Sequence, residues 1–338
     1  MTIRAAIIGC GNIAGGYDEQ KKDAGCYTHA GAYRQRPEIK LVAAADPDPK
    51  RRAAFGAYWG VPHLYPDARR LLEEQRVELV SICAPDAAHE EALRHVLAVS
   101  RPRVIFAEKP LALGREAARS ILDEAQRLGV RIVLNNQRRW DEGHRRVRAL
   151  LAEGGIGQIV SATAFYVKGL YHIGCTVSNT IRFLLGEVEA VQALGGAHQA
   201  TAPCDPSVDA VLYLRNGAIA TMLGADRYGY RYSLFELDIL GTTGRVRVAE
   251  NGDRILVSRV QDYPHYPGFA ELREQPGETI ATAMGSAIPT GVQQISEFLT
   301  GQRQTLESDG EEGYRDLCVL DAIAASKAQG GLRLPVVP

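Results

Sequence analysis

The sequence predicts an α/β protein, with a doubly wound parallel sheet in its N-terminal half. An α+β domain with a large, mostly antiparallel open sheet is expected to follow. Three observations carry this reading. Short, continuous apolar runs alternate with amphipathic helical stretches in the first half, and strand-like runs joined by tight turns fill the second. A length of 338 residues, 46% of them hydrophobic, is enough for two separate cores.

The apolar runs of the first half are residues 3–8, 41–45, 77–83, 104–107 and 132–134. Their continuous Val/Ile/Ala character means strands covered on both faces, the signature of a parallel sheet with right-handed crossovers. Helical patterns occupy residues 49–58, 68–74, 88–99, 115–128 and 142–153. Gly154-Gly155 punctuates the last of these and sets the expected division into domains 1–154 and 155–338. Beyond it, residues 159–167 alternate as a half-buried strand does. Residues 208–214 and 219–223 flank Arg215-Asn216-Gly217-Ala218, whose Asn-Gly is a strong hairpin signal. Further strands are expected at 234–240, 246–249 and 255–260, with turns at 241–244 and at Asn251-Gly252. Residues 261–290, rich in Pro, Gly and Tyr, read as a long irregular piece of the kind used for lids or binding loops. Helices near 292–299 and 310–328 close the chain.

Composition excludes several classes of function. With 39 Lys+Arg against 40 Asp+Glu and a net charge of −1, the chain has no electrostatic footprint for nucleic acid or an anionic membrane. No apolar run is long enough for a membrane span, and the N-terminus leads directly into a strand rather than a signal peptide. The six cysteines, at 10, 26, 83, 175, 204 and 318, contain no CxxC, so neither a disulfide scaffold nor a zinc site is expected. A reducing cytoplasm is the expected setting. Histidines 29, 63, 95, 144, 198 and 265 show no ligand spacing, and no metal is expected.

Gly9-Cys10-Gly11-Asn12-Ile13-Ala14 follows the first strand and has the form GxGxxA. The first glycine makes the turn and the second lets backbone approach a pyrophosphate. A small third residue packs helix on sheet, and the helix N-terminus attracts the anion. Gly9, Gly11, Asn12 and Ile13 are therefore candidate cofactor residues. Asp46, closing the second strand, is the candidate acidic partner for the adenosine ribose. It lies further on than the ~20 residues the fingerprint expects, and the polar, turn-like insertion 17–26 accounts for the difference. That insertion is either a solvated loop or a flap over the cofactor carrying Tyr17, Lys21 or Lys22. An aspartate at 46 favours NAD over NADP. Lys50, Arg51 and Arg52 either soften that preference or form an exposed helix face.

Four further motifs resemble one known family. Ser81-Ile82-Cys83-Ala84-Pro85-Asp86-Ala87-Ala88-His89 is similar to its strand–x–Pro–x–x–x–His turn, and Glu108-Lys109-Pro110 looks like its hallmark tripeptide. Asn135-Asn136-Gln137-Arg138-Arg139-Trp140 matches its Arg-Arg-aromatic stretch, and 154–159 matches its domain junction. Together they resemble the glucose–fructose oxidoreductase/inositol dehydrogenase (Gfo/Idh/MocA) group. The resemblance implies a Rossmann domain followed by a sheet domain, with a cis bond before Pro110. The implied reaction is hydride transfer between NAD(P) and a secondary alcohol of a sugar, inositol or sugar nucleotide. It further implies Ala84, Pro85, His89, Glu108, Lys109 and Asn136 at the cofactor, Arg139 and Trp140 at the substrate, and a homodimer or homotetramer formed through the open sheet face.

The chemistry supports the same residues. Removing hydride from a carbinol requires a base for the hydroxyl proton, and a lysine beside a cationic nicotinamide is driven toward its basic form. Lys109 ends a parallel strand, where open α/β sheets place ligands. Glu108 either positions Lys109 or touches the cofactor. The segment 169–179 departs from the family pattern. Active relatives read Asp-x-Gly-x-His-x-x-Asp, whereas His172, Thr176 and Asn179 stand here. Spaced i, i+4 and i+7, they share one helix face. Either His172 serves as acid/base with Lys109 while Thr176 and Asn179 bind sugar, or the protein is a sensor that binds dinucleotide or sugar without turnover. Lys168 and Tyr171 precede this face as substrate-binding candidates.

Overall fold

The first sheet is built from strands whose side chains are apolar on both faces, and its order follows from that. In the computed structural model, which describes residues 2–21, 23–195, 205–225 and 235–338, six parallel strands are arranged β3-β2-β1-β4-β5-β6. They are β1 (Ile3–Ile8), β2 (Ile39–Ala45), β3 (His63–Tyr65), β4 (Leu79–Ile82), β5 (Val104–Ala107) and β6 (Arg131–Leu134). Every residue of β4 and β5 is buried, as expected for central strands covered by helices on both sides. The strand order reverses at β1, so β1 and β4 flank the crevice where such sheets bind ligands. Strand β3, too short to give a periodic signal, was not foreseen. Lys22, His198, Cys204 and the first residue of the strand expected at 234–240 lie outside the described residues.

Local signals explain the helices. Asp48 caps α3 (Pro49–Trp59), accepting from the backbone N–H groups of Lys50 and Arg51, and Pro49 fills the first turn where its missing N–H costs nothing. Asp67 caps α4 (Ala68–Glu74), and Gly129, at φ +71°, ends α6 (Arg115–Leu128) in the left-handed region. The expected insertion is present. The chain leaves the phosphate turn through a π-turn at Asn12–Gly16 and a single helical turn, α1 (Tyr17–Gln20). Helix resumes as α2 (His29–Arg34).

Among the described residues the second sheet has nine strands in the order β14-β13-β12-β11-β7-β10-β9-β8-β15, the last being the short β15 (Leu334–Pro335). Its centre is β7 (Ile159–Tyr166), parallel to β10 (Ile219–Gly224) and antiparallel to β11 (Phe235–Gly241). Apart from the β7–β10 pair, its ladders are antiparallel. Buried residues alternate with half-buried or exposed ones along β9 (Ala210–Leu214), β11 and β12 (Gly244–Ala249), so one face is packed and the other open. The packed face is covered by α8 (Gly174–Leu185), in which every residue but Thr176 is buried.

Two expectations require correction. Residues 261–290 are largely regular, because β13 (Arg254–Asp262) pairs with a long β14 (Ala270–Ala281) across a register shift, and α9 (Met284–Leu299) starts well before residue 292. Gly285, Pro289 and Gly291 weaken the helical pattern in the sequence, and burial of Ile288, Val292 and Ile295 overrides it. The compact units also differ from the division expected at 154/155. One comprises Met1–Trp140 with Met284–Tyr314, and the other Asp141–Ala283 with Arg315–Pro338. α7 (Glu142–Ala152) packs on α8 and β14, and α9 completes the core of the first unit with Phe106 and Trp140. Neither association leaves a mark in local sequence. Strand β8 (Val188–Ala193), which pairs with β9, is a further element not foreseen.

Candidate active site

The phosphate turn comes first. Gly9 has φ +90°, and a Cβ there would lie 2.7 Å from the Cys83 carbonyl oxygen, so only glycine fits between β1 and β4. At Gly11 a Cβ would meet nothing within 4 Å, leaving open space where the fingerprint places the pyrophosphate. Gly9, Gly11, Asn12 and Ile13 thus form a cradle that fits a dinucleotide.

Asp46 is buried at the end of β2. Its carboxylate accepts from the backbone N–H of Cys10 at 2.9 Å and of Asp48 at 2.9 Å, tying the turn to the end of β2. Arg51 lies 3.3 Å from the same carboxylate and Arg52 donates to the Asp46 carbonyl, whereas Lys50 is exposed. Two of the three basic residues are therefore directed at the end of β2. The insertion is stitched to itself. Buried Asp18 accepts from Tyr27 N at 2.9 Å and Thr28 Oγ1 at 2.6 Å, and Lys21 donates to the Gly25 carbonyl. Tyr17 is exposed.

Lys109 stands at the C-terminal end of β5, half-buried, and its bond to Pro110 is cis. Beside it Glu108 is buried and accepts from His29 Nε2 at 3.0 Å and Asn135 Nδ2 at 2.6 Å. Burial alone pushes this carboxyl up. The hydrogen bonds from His29 and Asn135, with the charges of His29 and Lys109, outweigh burial and hold it below the ordinary 4.5. His89 is 1% exposed, with Nδ1 2.7 Å from the Pro110 carbonyl and Nε2 2.8 Å from the Ala84 carbonyl. It buckles the Ala84-Pro85 turn to the Glu-Lys-Pro exit and presents no surface to a cofactor, so it acts by position rather than by contact. Asn136 donates to Ser308 Oγ at 3.0 Å and Arg139 to Glu312 at 2.6 Å. Trp140 is 2% exposed, packed edge-on against Phe106 and over Gly291; it is a core residue and not the substrate contact expected.

The substrate candidates of the second unit sit at the start of α8. His172 precedes the regular helix, in a turn at residues 170–173 held by Asp205, which accepts from Tyr171 N and His172 N. The shared helix face expected for 172, 176 and 179 is therefore a turn residue followed by two helical ones. Lys168 is exposed at φ +65°, and Tyr171 donates its hydroxyl to Asp321 at 2.7 Å. Thr176 is half-buried. Asn179 is 2% exposed, and its amide donates to Asp316 at 2.7 Å, within a cluster that includes Arg182 at 2.7 Å from the same carboxylate. Its surroundings are those of a structural residue rather than a sugar contact. Among the described residues no group of three or more His, Cys, Asp or Glu side chains is arranged to hold a metal.

Several partners escaped the sequence reading: His29, Tyr33, Ser81, Asn135, Asp205 and Asp316. For one of them a signal was present. Ser81 is a polar residue inside a fully buried strand and requires a partner.

A glycine cradle after β1, an acid closing β2 and a lysine ending β5 define a dinucleotide-dependent oxidoreductase. Comparison with known proteins gives the family. Residues 3–136 match the family model described as "Oxidoreductase family, NAD-binding Rossmann fold", and residues 168–247 match "GFO/IDH/MocA C-terminal domain". The chain belongs to the Gfo/Idh/MocA oxidoreductase family and is an NAD-dependent oxidoreductase. It is 24% identical to inositol 2-dehydrogenase of Burkholderia multivorans, over 98% of this chain and 96% of that one. To inositol 2-dehydrogenase of Rubrobacter xylanophilus it is 26% identical, over 97% and 92%. Its fold matches that of the WlbA dehydrogenase of Bordetella pertussis, solved with NADH and UDP-GlcNAcA, at a TM-score of 0.79 and 21% identity, covering 100% and 99% of the two chains.

Proposed function

We propose that this oxidoreductase interconverts a secondary alcohol and ketone of a sugar, cyclic polyol or sugar nucleotide, with Lys109 as the base. The observation that carries the reading is Lys109 at the end of β5 beside a buried, doubly hydrogen-bonded Glu108. Gly9, Gly11, Asn12, Ile13 and Asp46 would hold the dinucleotide, which supplies the acceptor or donor of hydride. Lys109 takes the hydroxyl proton as the carbinol C–H bond gives up its hydride, and returns that proton in the reverse direction. His172 is proposed as the second proton carrier, since Thr176 carries a hydroxyl that does not titrate near neutral pH. Lys168, exposed on its turn, supplies charge for a phosphorylated or nucleotide-linked substrate, which favours a sugar nucleotide within this class. A relative acting on inositol and a fold neighbour holding UDP-GlcNAcA support the two ends of that range.

The setting proposed is a reducing cytoplasm. No helix of the described residues is long and apolar enough to cross a membrane, and Cys10, Cys26 and Cys83 are buried thiols. A homodimer or homotetramer is proposed through the open sheet face, where Phe165, Ile219 and Leu240 are 40%, 43% and 36% exposed on adjacent strands. Reduced-nicotinamide absorbance with a panel of polyols, free sugars and sugar nucleotides tests the reading. Turnover on at least one of them is expected, and Lys109→Met is expected to lower kcat by roughly 10²–10⁴-fold while NADH fluorescence titration still reports binding. Turnover unaffected by that change would remove Lys109 from its role.

A further inference from the structure

Behind Glu108 runs a buried polar chain that the proposed reaction does not use. The Tyr33 hydroxyl is 2.5 Å from Ser81 Oγ, Ser81 Oγ is 2.7 Å from His29 Nδ1, and His29 Nε2 is 3.0 Å from Glu108 Oε1. His29 and Ser81 have no exposure, and Tyr33 has 1%. Counting donors orients the chain. An ionised carboxylate only accepts, so His29 Nε2 carries the proton toward Glu108. With the ring neutral, Nδ1 accepts from the Ser81 hydroxyl, whose oxygen accepts from Tyr33; with the ring charged, Nδ1 donates to Ser81, and in both forms Nε2 donates to Glu108. Burial pushes the Tyr33 phenol well above its usual range, which keeps it a donor. The bond at the end of this chain is therefore the same in either form: His29 Nε2 donates to the carboxylate beside Lys109.

Among the described residues, four groups face Glu108. They are His29 from α2, Asn135 after β6, Lys109 next to it in the chain, and Cys83 after β4. Burial, and then the charge of Glu108, hold the Cys83 thiol protonated, so it does not compete for the role of anion. His29 and Lys109 remain as the groups whose charge bears on the carboxylate.

We propose that His29, oriented by Ser81 and Tyr33, is a positioning residue that keeps Glu108 ionised and fixed beside Lys109, so that the anion governs how readily Lys109 gives up its proton. This rests on the reading of Lys109 as the base. Two readouts on the cofactor-free, full-length chain test it. One is the protonation of Glu108, followed by ¹³C NMR of carboxyl-labelled glutamate. The other is the rate at which trinitrobenzenesulfonate, which reacts with neutral amines, labels Lys109 near neutral pH, read by mass spectrometry of its peptide. In His29→Leu the Glu108 carboxyl, left in its buried site without that donor, is expected to take up its proton ~3 pH units higher, near neutrality, and Lys109 labelling to rise about tenfold. His29→Gln, whose amide can donate to Glu108, restores both readouts toward the wild type. Ser81→Ala moves both in the direction of His29→Leu, by less.

A folded His29→Leu protein with both readouts unchanged overturns the proposal, and so does a His29→Gln protein indistinguishable from it. If His29→Leu does not fold, Glu108→Gln and Ser81→Ala decide, since unchanged Lys109 labelling in both is equally fatal. Failure of the underlying reading looks different. Turnover would survive Lys109→Met while the two readouts still moved.

Discussion

Lys109 is half-buried and Glu108 beside it is buried, and the environment of that carboxyl has a measurable consequence. The Glu108 carboxyl is held below 4.5, with burial opposed by His29, Asn135 and Lys109. Asp141 is held below 3.8, with burial opposed by His144 and the Ala283 N–H. A depressed carboxyl contributes stability that is present above its unfolded value and is lost as pH falls through its native one. Urea midpoints are therefore expected to hold near neutrality and to fall only once pH drops below the ordinary carboxylate range, with a shallower fall in Glu108→Gln. An equal fall in both proteins contradicts the assignment. Asn179 makes a second case at this scale. Its removal leaves the buried Asp316 short of a donor, so Asn179→Ala is expected to cost about 1–3 kcal/mol in chemical denaturation. KM for the sugar should stay unchanged; a rise in KM without loss of stability would return Asn179 to the substrate.

At the scale of elements, the phosphate turn is the least tolerant part of the chain. Gly9 combines φ +90° with backbone only 2.7 Å from where a Cβ would sit. Gly9→Ala is therefore expected to cost roughly 1–3 kcal/mol through backbone strain and to weaken NADH binding at the same time. Differential scanning fluorimetry beside an NADH titration reads both, and a stable variant with wild-type affinity would show that the turn can relax. The turn, its glycines and Asp46 were legible because each meets a local backbone requirement. Strand β14 and the early start of α9 were not. Gly285, Pro289 and Gly291 argue against helix locally, and burial against the first-unit core decides otherwise.

For the whole molecule, the open sheet face is the feature that bears on assembly. Phe165, Ile219 and Leu240 lie on β7, β10 and β11, neighbours in the sheet. Sedimentation velocity is expected to show a dimer or tetramer, and Phe165→Glu to shift it toward monomer by placing charge in the contact. A monomeric wild type would assign the face to solvent. The near-neutral charge of the chain says little here, because Lys109, Arg139 and Lys168 gather cationic groups in local segments whatever the total.

By itself the sequence determined the fold class, the dinucleotide turn, the place of Lys109 at a strand end and the family, since each is written in contiguous residues whose spacing meets a local physical demand. Tertiary structure alone decided the rest. It sent Trp140 to the core, gave the Asn179 amide to Asp316, moved α9 into the first unit and set His29, Ser81 and Tyr33 behind Glu108. Whether a polar side chain meets a ligand or a buried partner depends on which distant segment packs against it, and periodicity along the chain does not record that.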